Sequence, residues 1–104
     1  MTLVIPAPDC RSMEDVRRQI DRIDRALVGL LAERQTYIER AAELKTARDS
    51  VRDEARIEDV VSKVLAEAKR QGLNPAIAEP VWRELIERSI ELELVAFDRK
   101  NQRK

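Results

Sequence analysis

Arg34 and Lys45 stand in this 104-residue chain where the pattern around them asks for something else. Apolar side chains recur at Val16, Ile20, Ile23, Leu27 and Leu30, and again at Tyr37, Ala41 and Leu44, in alternating steps of four and three; the slot between Leu30 and Tyr37 belongs to Arg34. A heptad seam calls for an aliphatic residue there. A fixed positive charge is therefore set into an apolar stripe. Lys45 follows eleven residues later, which on a helix is roughly 16 Å along the axis and about 20° around it. Two long cationic side chains leaning toward each other can bracket a small dianion. Ser89 and Glu93 fall on a second stripe with Trp82, Ile86 and Phe97, within roughly 60° of one another on the helical wheel. They are expected to face inward, and Arg56, at the start of the intervening helix, can point to the same cavity. Such a set binds anionic groups and stabilises negative charge as it develops.

A seam cation also has a structural use, setting helix register through an ion pair with a carboxylate such as Glu93. Arg17 does not separate the two readings. It lies roughly 25 Å along the helix from Arg34 and about 100° around it, so it cannot share a small ligand with Arg34 of its own chain. From an antiparallel partner it can.

What the chain lacks narrows the chemistry further. With no histidine and a single cysteine, Cys10, there is no Ser-His or Cys-His nucleophile pair and no Cys/His zinc cluster; Cys10 itself reads as an incidental thiol. No cofactor and no metal are expected. The 20 Lys+Arg and 20 Asp+Glu cancel formally, leaving no domain-wide basic field for nucleic acid or an anionic membrane. The work falls to Arg, Lys, carboxylates and hydroxyls, acting on a small molecule.

The elements that must position these residues are helices. An apolar fraction of 43% with only 3% aromatics and two glycines favours helix packed on helix, an all-α fold. Residues 1–11, with Pro6 and Pro8, are expected to be a flexible arm. The opening apolar run is cut by Pro6 and has no basic leader, and no stretch reaches spanning length, so a cytoplasmic protein is expected. A helical domain over 12–99 follows. Ser12 caps its first helix with Asp15 three residues on, and that helix is expected to run to about Arg48, with a turn at Asp49-Ser50. A second helix is expected from about Glu54 to Gln71, stopped by Gly72. Asn74 caps a third, with Pro75 at its first position, ending near Arg99 before a polar tail at 100–104. A first helix of about 35 residues is roughly 52 Å long, against a radius of gyration of about 13 Å for a compact chain of this size. One chain cannot cover such a rod, so an intertwined homodimer is expected.

The first helix reads Val16-Arg17-Arg18-Gln19-Ile20-Asp21-Arg22-Ile23-Asp24, then Leu30-Leu31-Ala32-Glu33-Arg34, then Leu44-Lys45. This resembles the all-helical (AroQ-type) chorismate mutase family: an Arg, ten residues beyond the aspartate that follows it an L-x-x-R element, and eleven further a Lys, over residues 13–98 in all. The resemblance implies an entwined homodimer of three-helix subunits in which Arg17 reaches into the partner's site. Arg34 and Arg56 would bind the substrate's carboxylates, and Lys45 would hold the ether oxygen. Ser89 would contact a carboxylate, Glu93 stands opposite Lys45 where family members have Gln or Glu, and Asp53 matches a residue near the ring hydroxyl.

The implied reaction, chorismate to prephenate for phenylalanine and tyrosine synthesis, is a pericyclic shift needing no nucleophile and no net proton transfer. The site must hold a flexible dianion in its reactive conformer and stabilise charge on the ether oxygen as its C–O bond breaks. Glu93 can help only when protonated, since only then does it donate a hydrogen bond. One position departs from the mutase pattern: Ile57 stands where a Glu would accept from the ring hydroxyl. Isochorismate-pyruvate lyases of salicylate formation, on the same fold, carry an aliphatic residue there, and their Asp-Cys and D-R-I-D runs are similar to Asp9-Cys10 and Asp21-Arg22-Ile23-Asp24. Against the lyase stand Glu93, where those enzymes have Gln, and Ser89. An amino-chorismate mutase and a non-catalytic helical interaction protein are the remaining alternatives.

Overall fold

The computed structural model describes residues 3–102; Met1 and Thr2 of the expected arm and Arg103 and Lys104 of the expected tail lie outside the described residues. Three helices carry the chain: α1 (Met13–Leu44), α2 (Glu54–Gln71) and α3 (Pro75–Gln102), with single 3₁₀ turns at Ala7–Asp9 and Arg48–Ser50. No strand occurs among the described residues. Among the described residues no helix is long and apolar enough to cross a membrane.

The capping residues act as expected. Ser12 Oγ accepts from the Asp15 N–H at 3.1 Å, and the Asp15 carboxylate accepts from the Arg11 N–H at 3.1 Å, a reciprocal arrangement that satisfies donors left over at a helix start. Asp53 is the N-cap of α2, its Oδ1 accepting from the Arg56 N–H at 3.0 Å. Gly72 closes α2 in the left-handed region at φ 81°, where Leu73 N–H reaches the Ala68 carbonyl at 2.8 Å; a side chain there would strain the backbone. Asn74 Oδ1 accepts from the Ala76 N–H at 2.9 Å and starts α3 ahead of Pro75.

Two boundaries differ from expectation. α1 stops at Leu44 rather than near Arg48. The Ala42 and Glu43 carbonyls at its end accept from the Lys100 ammonium, and the chain extends at Ala47 and turns, with Ser50 Oγ donating to the Ala47 carbonyl at 2.7 Å. α3 runs past Arg99 to Gln102, so the start of the expected polar tail is helical, held by that same Lys100.

The chain divides into two compact units, Met1–Thr36 and Tyr37–Lys104. In the first, the segment expected to be a flexible arm is tied to α1: the Gln19 side chain, 7% exposed, donates to the Leu3 carbonyl at 2.8 Å and accepts from Arg22 Nε at 2.9 Å. The seam residues Ile20, Ile23, Leu27 and Leu30 are between 46% and 63% exposed. In the second unit, Val51, Ile57, Val61, Ile86 and Ile90 form the buried core, with Val60, Leu65 and Leu94 against it. Each such aliphatic side chain, fully buried, stabilises the fold by about 1.5–3 kcal/mol. Around this core α3 is fastened by charge pairs. Arg83 donates to both Glu58 oxygens at 3.0 Å, Arg52 to Glu87 at 2.5 and 3.2 Å, and Arg48 to Asp98 at 3.0 Å.

Candidate active site

The Tyr37–Lys104 unit holds five of the seven residues singled out in the sequence. Lys45 sits one residue beyond α1, its N–H still bonded to the Ala41 carbonyl at 3.0 Å, so its side chain leaves from the end of a helix. Glu93 lies in the second half of α3 and is 5% exposed. The periodicity that placed it on the Ile86 and Phe97 stripe accounts for that burial, since both of those neighbours are buried too.

The structure brings Lys45 and Glu93 together. Lys45 Nζ lies 2.6 Å from Glu93 Oε2, yet that oxygen has no partner in hydrogen-bonding geometry. The distance makes it a close ion pair; the angle is too poor for a hydrogen bond. Glu93 Oε2 is thus compensated in charge while its hydrogen-bonding capacity is unspent, an arrangement that costs free energy in a buried position. One explanation for such a group is a site that completes itself on binding.

Ser89, one turn before Glu93, is half-buried and donates from Oγ to the Leu85 carbonyl at 2.7 Å. Arg56 does not reach Glu93 or Lys45. Its guanidinium is 63% exposed and pairs with Asp59, three residues along α2, at 2.8 Å. That carboxyl is held below its ordinary value, first by the hydrogen bond from Lys63 and also by Arg56. The expectation that Arg56 points into a common cavity is therefore not met in this arrangement, because a nearer carboxylate on its own helix captures it. Asp53 spends Oδ1 on the α2 cap. Ile57, at the departing position, is buried against the core formed with Val51, Val61, Ile86 and Ile90. In the Met1–Thr36 unit, Arg17 is exposed on α1 and Arg34 is half-buried.

Sequence reasoning missed Lys100. It is expected in the polar tail, yet its ammonium donates to the carbonyls of Ala42, Glu43 and Lys45 itself. The available signal was its spacing, since Glu93, Phe97 and Lys100 follow one another by four and three residues. An apolar groove of about 240 Å³ between α2 and α3, lined by Val64, Ala68, Leu73 and Trp82 with Glu67 and Gln71, contains none of the singled-out residues.

The profile of chorismate mutase type II matches residues 16–94, a span that begins one residue before Arg17 and ends one residue after Glu93. The chain belongs to the chorismate mutase type II family. Among curated proteins it is similar to isochorismate pyruvate lyase of Pseudomonas aeruginosa, 27% identical over 78 residues that make up 75% of this chain and 77% of that protein. No solved structure gives a significant match. The three helices are consistent with the fold of that family, and all seven singled-out residues lie within the stretch the family profile covers.

Proposed function

We propose that this chain is a chorismate mutase, rearranging chorismate to prephenate as a homodimer in the cytoplasm, in the supply of phenylalanine and tyrosine. The observation that carries the reading is the pair of Lys45 and buried Glu93, 2.6 Å apart with Glu93 Oε2 unspent as a hydrogen-bonding group. An ether oxygen seated between these groups takes a hydrogen bond from each when Glu93 is protonated. Both bonds strengthen as the C–O bond breaks and negative charge grows there. Arg34 and Arg56 bind the carboxylates, Arg56 by exchanging Asp59 for the substrate. Ser89 adds a carboxylate contact, Asp53 the ring hydroxyl through the oxygen its cap leaves over, and a second copy of the chain supplies Arg17. Binding in this way selects the compact conformer, which is most of what a unimolecular pericyclic reaction requires.

A second reading, isochorismate pyruvate lyase, is favoured by two observations. The similar curated protein has that activity, and Ile57 is packed into the core, so no carboxylate is offered to a ring hydroxyl from that position. Incubating the purified protein separately with chorismate and with isochorismate, and following prephenate, salicylate and pyruvate, separates the readings. Prephenate from chorismate supports the mutase; salicylate and pyruvate from isochorismate alone replace it with the lyase. Turnover of neither sinks both. In the active case K45A should lose about 10²–10³-fold in kcat, the scale for removing one donor to a developing oxyanion.

A further inference from the structure

We propose that Lys100 is a positioning residue for Lys45, a cationic clamp through which α3 fixes the end of α1; its catalytic part rests on Lys45 acting at the ether oxygen. The last turn of α1 contains no basic residue, so the helix itself supplies no cation to the partial negative charge and open carbonyls at its C-terminus. Lys100 supplies one from another helix. Its Nζ lies 2.9 Å from the Ala42 carbonyl, 3.2 Å from that of Glu43 and 2.6 Å from that of Lys45. An ammonium has three N–H donors, and three carbonyls take them. The same Nζ stands 4.6 Å from the centre of the Phe97 ring; Phe97 is buried, so the ammonium has a fixed cation–π neighbour.

Glu93, Phe97 and Lys100 share one stripe of α3. Lys45 is therefore gripped twice by the same helix, its ammonium by Glu93 and its own carbonyl by Lys100. The first grip is the one a substrate must enter. When it opens, the second still fixes where the Lys45 side chain departs. Without it the final turn of α1 is free to fray, and displacements of about 1 Å in a catalytic group cost as much as a hundredfold in rate.

The test is a double-mutant cycle of K100M with K45A, read by kcat and KM on the substrate the protein turns over, alongside hydrogen exchange of the Lys45 amide without substrate. K100M is expected to lower kcat about tenfold with KM within about twofold, and to leave the residual rate of K45A unchanged, because two changes acting through one group do not add. K100R retains the charge, but its planar fork cannot set three N–H groups on three carbonyls in this geometry, so it should recover only part of the loss. Exchange of the Lys45 amide is expected to quicken about tenfold in K100M, as when a helix end loses its capping partner. Wild-type kcat in K100M, or an equal loss in the K45A background, overturns the positioning role. Unchanged amide exchange overturns the clamp itself. If K100M loses helix content by circular dichroism, K100R carries the same cycle and the same criteria. A parent protein that turns over neither chorismate nor isochorismate refutes the functional reading instead, and amide exchange then decides the clamp alone.

Discussion

Glu93 is a carboxylate in a place where charge is costly, 5% exposed, with Lys45 as its close counter-ion and one oxygen outside any hydrogen bond. For an ion pair serving only to set register, better geometry would be expected, because a buried pair repays its desolvation only when its hydrogen bonds are made. For a site that opens to receive an ether oxygen, the unspent oxygen is useful once protonated. E93Q carries a permanent donor in the same shape, so its kcat should equal or exceed the parent's, while E93A, which offers no donor, should lose about 10²-fold; an E93Q that loses as much as E93A refutes the assignment. At this scale the burial of Glu93 was legible because it occupies an apolar stripe of α3. The pairing of Arg56 with Asp59 was not legible because sequence spacing does not say which of two anions a long side chain will choose, and Asp59 is only three residues away. Lys100 was invisible because it acts on backbone carbonyls, and main-chain acceptors leave no signature in residue types.

The fastenings between elements are charged and exposed, which gives them a pH signature. Arg83 holds the Glu58 carboxyl below its ordinary value through a hydrogen bond, and Arg52 does the same for Glu87. A carboxyl whose value is depressed in the folded state adds stability above the unfolded value of about 4.3, and that contribution is lost as pH falls through the folded value. Urea midpoints should therefore drop as pH is lowered below about 4.3, and the drop should be smaller in R83Q, which removes the partner of Glu58 at every pH. Salt at high concentration should blunt the difference, since exposed pairs are screened. An R83Q protein whose acid profile superposes on the parent's would show that the α2–α3 pair contributes nothing measurable. The helices themselves were read closely from Ser12, Gly72, Asn74 and Pro75, whose side chains or backbone freedom act within one turn. The end of α1 was not: the carbonyls there accept from Lys100, 55 residues further along the chain from Lys45, a contact that no local signal marks.

At the scale of the molecule the unresolved demand is the α1 seam. In the Met1–Thr36 unit Ile20, Ile23, Leu27 and Leu30 are between 46% and 63% exposed in the single chain, and in the other unit Tyr37 and Leu44 are 68% and 65% exposed; exposed apolar side chains in such number are an association surface or an aggregation liability. In the proposed homodimer a second copy in a two-fold arrangement would cover it, each seam meeting its equivalent. Under the proposed function the same symmetry would let Arg17, exposed on α1, serve the partner's site. This has a consequence that neither a structural cation nor a site confined to one chain would produce. R17A and K45A should each be nearly inactive as pure proteins. If Arg17 crosses, a mixed dimer contains one site with both wild-type residues and one with neither, so unfolding, mixing in equal amounts and refolding should restore about a quarter of wild-type activity by random pairing of two-fold dimers. If Arg17 acts within its own chain, every site in the mixed dimer carries one defect and mixing restores nothing. Sedimentation of the mixture checks that dimers have formed, and a monomeric protein with full parental activity would remove the need for a second copy altogether.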